Sequence, residues 1–132
     1  MSGGGIIGLE IRCLAVLIKS IIDLGREYHE YKETASMRTA DGVIHKVDLV
    51  LKDENGKDIG FEKTEKGDYK IVADTNGLNS QQLRQQQDFI KRIRQRYAYN
   101  KVTEELKKQG YVIAEEEKVQ DNTIRLVARK WD

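Results

Sequence analysis

Residues 43–74 read VIHKVDLVLKDENGKDIGFEKTEKGDYKIVAD. Val43, His45, Val47, Leu49 and Leu51 alternate with Lys46, Asp48 and Lys52, the period-two pattern of a strand with one buried face. Asn55-Gly56 signals a hairpin, and the chain returns through Lys57 to Thr64 with Ile59 and Phe61. Lys66-Gly67 turns it again into Tyr69 to Asp74, where Tyr69, Ile71 and Ala73 share a face. Short strands joined by tight turns make an antiparallel meander. There is no strand–helix–strand alternation and no glycine-rich phosphate loop, which excludes a dinucleotide fold.

After this meander, Thr75-Asn76-Gly77 reads as a loop and Ser80 as the N-cap of a long helix. Ser80 to Gln109 contains neither glycine nor proline and is rich in helix formers. At about 100° per residue, Leu83, Gln86, Ile90, Ile93 and Tyr97 fall on one face. Val102 and Leu106 fall on another, together with Tyr99. The pattern therefore predicts either a break near Ala98 to Lys101 or one helix with two faces buried by different partners. Gly110 ends it. Tyr111 to Trp131 then reads as a hairpin about Asp121-Asn122, with Ile124, Leu126 and Ala128 opposite Arg125 and Arg129.

Before the meander, Gly3-Gly4-Gly5 belongs to a flexible start over residues 1–5. Ile6 to Cys13 reads as a strand. Leu14, Leu17, Ile18, Ile21, Ile22 and Leu24 then form a helical stripe, with Lys19, Ser20 and Asp23 facing away and Gly25 as the stop. Glu27 to Thr34 is a weaker strand, and Thr39 to Gly42 a turn. The resulting order is β-α-β-β-β-β-α-β-β. This predicts an α+β fold: a mainly antiparallel sheet of about seven strands with helices packed on one face. The order also suits a duplicated β-α-β-β unit.

The chain has 132 residues, which suits a single domain over 1–132 with one continuous core. Lys and Arg number 23 against 22 Asp and Glu, so no overall field draws it to nucleic acid or an acidic membrane. Charges at Glu10, Arg12, Lys19 and Asp23 interrupt the apolar N-terminal stretch. They exclude a signal-type segment and a membrane span there. Cys13 is the one cysteine. It allows no internal disulfide, reads as a small buried hydrophobe, and suits a reducing compartment, the cytosol or a plastid stroma.

Candidate chemistry is sparse. Residues 81–101 hold Arg84, Lys91, Arg92, Arg94, Arg96 and Lys101 against Asp88, a local balance of +5. Tyr97 and Tyr99 lie among them, and cations beside aromatics are what single-stranded nucleic acid needs. The same phase count spreads Lys91, Arg92, Arg94 and Arg96 over roughly 200° of the helix, which favours a solvated face. The residues that remain candidates for binding nucleic acid or a partner are Arg84, Lys91, Arg92, Arg96 and Tyr99. Glu115-Glu116-Glu117 alternates faces along a strand, so pairing with Arg125 and Arg129 explains it better than a carboxylate site. His29 and His45 stand at no metal-ligand spacing. His45 reads as a satisfied residue on an apolar strand face, with an acid/base pair to Asp74 as the alternative. No serine or cysteine sits in a nucleophile motif. No catalytic residues, metal or cofactor are expected.

Several segments together resemble one family. They are Asp58-Ile59-Gly60-Phe61, Tyr69-Lys70-Ile71-Val72-Ala73-Asp74, Gln95-Arg96-Tyr97-Ala98-Tyr99 with Lys101-Val102, and Gln109-Gly110-Tyr111 onward through Glu115-Glu116 to Thr123-Ile124-Arg125-Leu126-Val127 and Trp131. Taken in order, they are similar to the hypothetical-chloroplast-frame thirty-five family of cyanobacteria, algal plastids and other bacteria. That pattern begins Met-Ser-His-Phe-Thr, whereas here Ser2 is followed by three glycines. The resemblance implies a small stand-alone domain of unknown function. It also implies a place in a multiprotein machine beside an AAA-type ATPase or a ferredoxin-like protein. The expected function is thus a non-enzymatic accessory domain that binds a protein partner. The alternative is a weak binder of RNA or single-stranded nucleic acid through residues 81–101, whose affinity would fall steeply with salt.

Overall fold

A computed structural model describes residues 5–6, 9–118 and 124–130, with side chains described over 9–111. The elements are β1 (Gly5–Ile6), α1 (Leu14–Asp23), β2 (His29–Arg38), β3 (Ile44–Lys52), β4 (Asp58–Lys63), β5 (Tyr69–Ala73), α2 (Ser80–Lys108), β6 (Tyr111–Lys118) and β7 (Ile124–Lys130).

The meander closes through three hairpin turns of one design. Thr39, Asp53 and Thr64 each donate their amide to the carbonyl four residues on, and accept from the glycine three residues on. Gly42, Gly56 and Gly67 all have φ between 76° and 89°. A type I turn followed by a left-handed residue matches the twist of the flanking strands, and glycine alone enters that region at no steric cost. Asp53 adds a brace, since its Oδ1 accepts from the amides of Asn55 and Lys57 at 2.8 and 2.9 Å. These turns set the antiparallel order β2-β3-β4-β5.

The expectation of one sheet of about seven strands is overturned. The strands divide into this four-stranded sheet and a three-stranded one in the order β1-β7-β6. The duplicated β-α-β-β plan falls with it. β2 and β3 follow α1 into the larger sheet, while β1 pairs antiparallel with β7 at the opposite end of the sequence. The 29-residue α2, roughly 43 Å long at 1.5 Å per residue, separates β5 from β6, and β6 pairs with β7 and not with a strand of the larger sheet. Of the N-terminal strand expected over Ile6 to Cys13, the described residues show β1 and a bridge from Ile11 to Tyr69. The turn at Asp121-Asn122, and Trp131, lie outside the described residues.

The main core lies between one face of the four-stranded sheet and both helices. Leu49, Leu51, Ile59, Phe61 and Tyr69 meet Val16, Leu17 and Ile21 of α1 and Phe89, Ile93 and Tyr97 of α2. Val47 does not join them, contrary to the alternation of β3. Residues 31–34 of β2 bulge between the Glu30–Leu49 and Ala35–Val47 pairs. A bulge re-aims the strand locally, and Val47 packs with Met37 and Val72 on the outer face. Gly60 lies beneath that cluster, where a Cβ would come within 2.7 Å of Met37 Sδ and 2.8 Å of Val47 Cγ1.

Both helices stop as the glycines predict. Gly25 and Arg26 donate to Ile22 and Ile21, the paired bonds of a Schellman motif, with Gly25 at φ 72°. The start of α2 is one residue earlier than expected. Asn79, not Ser80, is the N-cap, in a reciprocal box with Gln82. No break occurs near Ala98 to Lys101. The buried stripe of Gln86, Phe89, Ile93 and Tyr97 continues through Asn100 and Thr103, while Val102 and Leu106 are partly buried on another flank.

Candidate functional site

Two polar features on the α1–α2 seam organise the candidate site. The first is Tyr97. Cys13 is the N-cap of α1 but makes no side-chain cap bond. The Tyr97 hydroxyl instead accepts from the amides of Arg12 and Cys13, both at 3.0 Å. One aromatic of α2 thereby fills the core and fixes the entrance to α1. Tyr97 with Ile93 in the core accords with the sequence reading.

The second feature contradicts the expectation that Ser20 and Asp23 face away from the protein. Ser20 is fully buried. With Val16 and Asp23 it forms the seam against α2. Asn100 Nδ2 donates to Ser20 Oγ at 3.0 Å and to Asp23 Oδ2 at 2.9 Å. Lys19 Nζ and Arg96 Nε also reach Asp23 Oδ2, each at 3.0 Å. Burial pushes the Asp23 carboxyl up, but the bonds from Asn100, Lys19 and Arg96, with the Arg96 charge, outweigh it and bring the pKa to about 2. Sequence reasoning missed Asn100 and Ser20. Their only signal was position, since Asn100 lies three residues beyond Tyr97 on the same stripe.

Beside this network a cleft of about 600 Å³ opens between α1 and α2, lined by Val16 and Lys19 on one side and by Arg96, Tyr99, Asn100, Thr103, Glu104 and Lys107 on the other. Two of the five sequence-predicted residues meet here. The Arg96 guanidinium lies 4.6 Å from the Tyr99 ring centroid. The other three lie elsewhere. Arg92 pairs with Glu54 of the β3–β4 turn and sits 5.7 Å from the Phe89 ring, which Arg26 also covers at 4.9 Å. Arg84 and Lys91 are exposed on other parts of α2.

The outer face of the four-stranded sheet carries a different arrangement. His45 Nδ1 lies 3.0 Å from Glu62 Oε1, which Lys70 also reaches at 3.2 Å. Burial works against the Glu62 charge, but the bonds from His45 and Lys70 outweigh it and hold the carboxyl below the usual range. The suggested His45–Asp74 pair does not form. Asp74 instead accepts the Asn76 amide at 3.0 Å, and its carbonyl accepts Gln86 Nε2 at 2.9 Å. Gln86 also donates to buried Asp53 at 3.0 Å, tying α2 to the β3–β4 turn. Where β2 bulges from β3, a hollow of about 380 Å³ forms over Tyr28, His29, Tyr31, Ala35, Met37 and Val50. Among the described residues β2 has no strand on its other side. In the small sheet, Glu117 stands opposite Arg125 and Arg129 opposite Val112 in register; their side chains lie outside those described.

Among the described residues the class is thus an α+β protein with two antiparallel sheets, two helices on the larger one, a charged interhelical cleft and an open strand edge. A family model described as a protein of unknown function (DUF1257) matches residues 20–127, so the chain belongs to that family. It is similar to the uncharacterized protein ycf35 of Cyanophora paradoxa, 36% identical over 85 residues that cover 64% of each chain. It is also similar to the uncharacterized protein ycf35 of Pyropia yezoensis, 29% identical over 126 residues that cover 92% of this chain and 91% of the relative. The resemblance read from the sequence is borne out. No solved structure matches the chain.

Proposed function

We propose that this chain is a non-enzymatic accessory domain that takes an extended segment of a partner protein along β2. The observation that carries this reading is the hollow of about 380 Å³ beside a strand edge with no described neighbour. An open edge offers unpaired amides and carbonyls, and an adjacent hollow selects the side chain that follows them. Tyr28, Tyr31, Met37 and Val50 give that hollow an apolar floor, and Glu27, His29, Lys52 and Asp58 a polar rim. Exposed Val43 and Ile44 extend the apolar surface at the far end of the β2–β3 hairpin. Among the described residues no helix is long and apolar enough to cross a membrane. The reading places the domain in solution, in cytosol or plastid stroma.

Ala35→Arg tests the reading, because it fills the hollow from a partly buried position that is not itself part of the main core. The wild-type chain, used as bait at low salt, is expected to hold a partner that Ala35→Arg releases. An AAA-type ATPase and a ferredoxin-like protein, the partners the resemblance implies, are the first to present. A chain recovered alone, or a partner held equally by Ala35→Arg, refutes it.

A further inference from the structure

We propose that the cleft between α1 and α2 binds the oxyanion group, phosphate or carboxylate, of a small molecule. The site shares no residue with the surface along β2. Its volume of about 600 Å³ is that of a small-molecule pocket.

Charge points to the ligand class. Lys19, Arg96 and Lys107 line the cleft, with Glu104 as the acidic residue among them. Glu104 already faces two other cations, Lys101 at 3.7 Å and Lys108 at 3.5 Å. The Lys107 ammonium makes no ion pair or hydrogen bond among the described residues, while its backbone carbonyl accepts the Gly110 amide. Asp23 offsets part of this charge through Lys19 and Arg96, and with the Lys107 ammonium added the cleft keeps a smaller excess of positive charge, on walls that are partly apolar, where the field of each cation is screened less than in open water.

Preorganisation points to the same class. A surface arginine usually samples many rotamers, and holding it costs side-chain entropy. Here Asp23 fixes Arg96 through Nε, and Tyr99 supports the guanidinium plane from below. Asp23 is itself held by Lys19 and Asn100, and its low pKa keeps it charged under any physiological condition. The two terminal nitrogens of Arg96 make no hydrogen bond among the described residues. A guanidinium anchored by Nε and open at its other edge is the geometry that binds a carboxylate or phosphate through two parallel bonds. Lys19 spends one of three donors on Asp23, which leaves two for the same ligand.

The test is a titration of the ¹⁵N-labelled full chain at constant ionic strength with inorganic pyrophosphate, with citrate, and with chloride as the reference. Saturable shifts are expected at the Lys19, Asn100 and Thr103 amides and at Arg96 Nε–H. Saturation by pyrophosphate identifies a phosphate ligand, and saturation by citrate a carboxylate ligand. Arg96→Gln and Lys107→Gln should each weaken binding by about tenfold or more, the loss of one charge-assisted bond. Lys107 is exposed, so its variant keeps the fold even where Arg96→Gln loosens the seam. Shifts that stay linear, that chloride reproduces, or that both variants retain within about twofold overturn the proposal.

Discussion

Tyr97→Phe removes one oxygen from the protein and leaves the ring in place. Tyr97 is 1% exposed, and its hydroxyl accepts two amides at 3.0 Å, those of Arg12 and Cys13. The substitution opens no cavity larger than that oxygen, so packing changes little. Two backbone donors lose their partner. A buried donor left unsatisfied costs about 1–3 kcal/mol. These two are only partly buried, which places the sum near the low end, about 2–3 kcal/mol. For a chain of this length that is a fall in Tm of roughly 6–15 °C. Urea denaturation measures the global loss. Hydrogen exchange locates it, because the Arg12 and Cys13 amides should exchange faster than the change in global stability requires. Tyr28→Phe is the control, with an expected change within about 0.5 kcal/mol. A loss below about 0.5 kcal/mol for Tyr97→Phe, or unchanged exchange at both amides, would refute the assignment of this hydroxyl as the latch of α1.

Gly60→Ala should cost about 1–3 kcal/mol, since the new methyl meets Met37 and Val47 at under 3 Å. In a Val47→Ala background the cost should shrink by about 1 kcal/mol, a coupling that a double-mutant cycle by chemical denaturation reads directly. Gln86→Leu strips both the Asp53 carboxylate and the Asp74 carbonyl of a buried donor. About 2–4 kcal/mol is expected from urea melts, and Gln86→Glu should do no better because it brings a second acceptor. Asp23 predicts an acid limb. Its folded pKa of about 2 lies below the ordinary 3.8, so its stabilisation is complete above pH 4 and is lost as pH falls towards 2. Discounted for its partial exposure, that amounts to about 1 kcal/mol. Asp23→Asn should therefore be less stable by that amount at neutral pH and equal to wild type near pH 2, as followed by denaturant midpoints across the range.

The family segments acquire physical roles in this fold. Tyr97 joins the two helices, and Gly60 lets Met37 and Val47 close over the sheet. Arg96 and Tyr99 shape the cleft. The basic helix that suggested a nucleic-acid platform divides its cations among Asp23, Glu54, its own Glu104 and Glu105, and solvent. Phase counting had already scattered them. What it did not anticipate was that one of them, Arg96, is locked by a carboxylate from α1.

The sequence alone determined whatever depends on neighbouring residues. The turns ending at Gly42, Gly56 and Gly67, the stops at Gly25 and Gly110, and the antiparallel meander follow from local backbone sterics and period-two burial. Both act over a few residues and leave a direct trace in residue type. The buried face of α2 was legible at Gln86, Ile93 and Tyr97, but the phase count left out Phe89, which is buried with them, and included Leu83 and Ile90, which are only partly buried. It became illegible at Asn100 and Thr103, which are buried but polar and satisfied by partners eighty residues away or by their own helix. A hydrophobic pattern has no symbol for a polar residue whose hydrogen bonds are met at a distance, so the apolar stripe passed to Val102 and left a break or a second buried face as the two readings. Ser20 and Asp23 were misplaced for the same reason. Only the tertiary structure decided the division into two sheets, since pairing β1 with β7 depends on where a long helix sets the chain down. It alone also decided the register shift between β2 and β3, the outward packing of Val47 against Met37 and Val72, and the cleft beside Arg96. These are consequences of how elements meet, and no single element carries the energy that selects them.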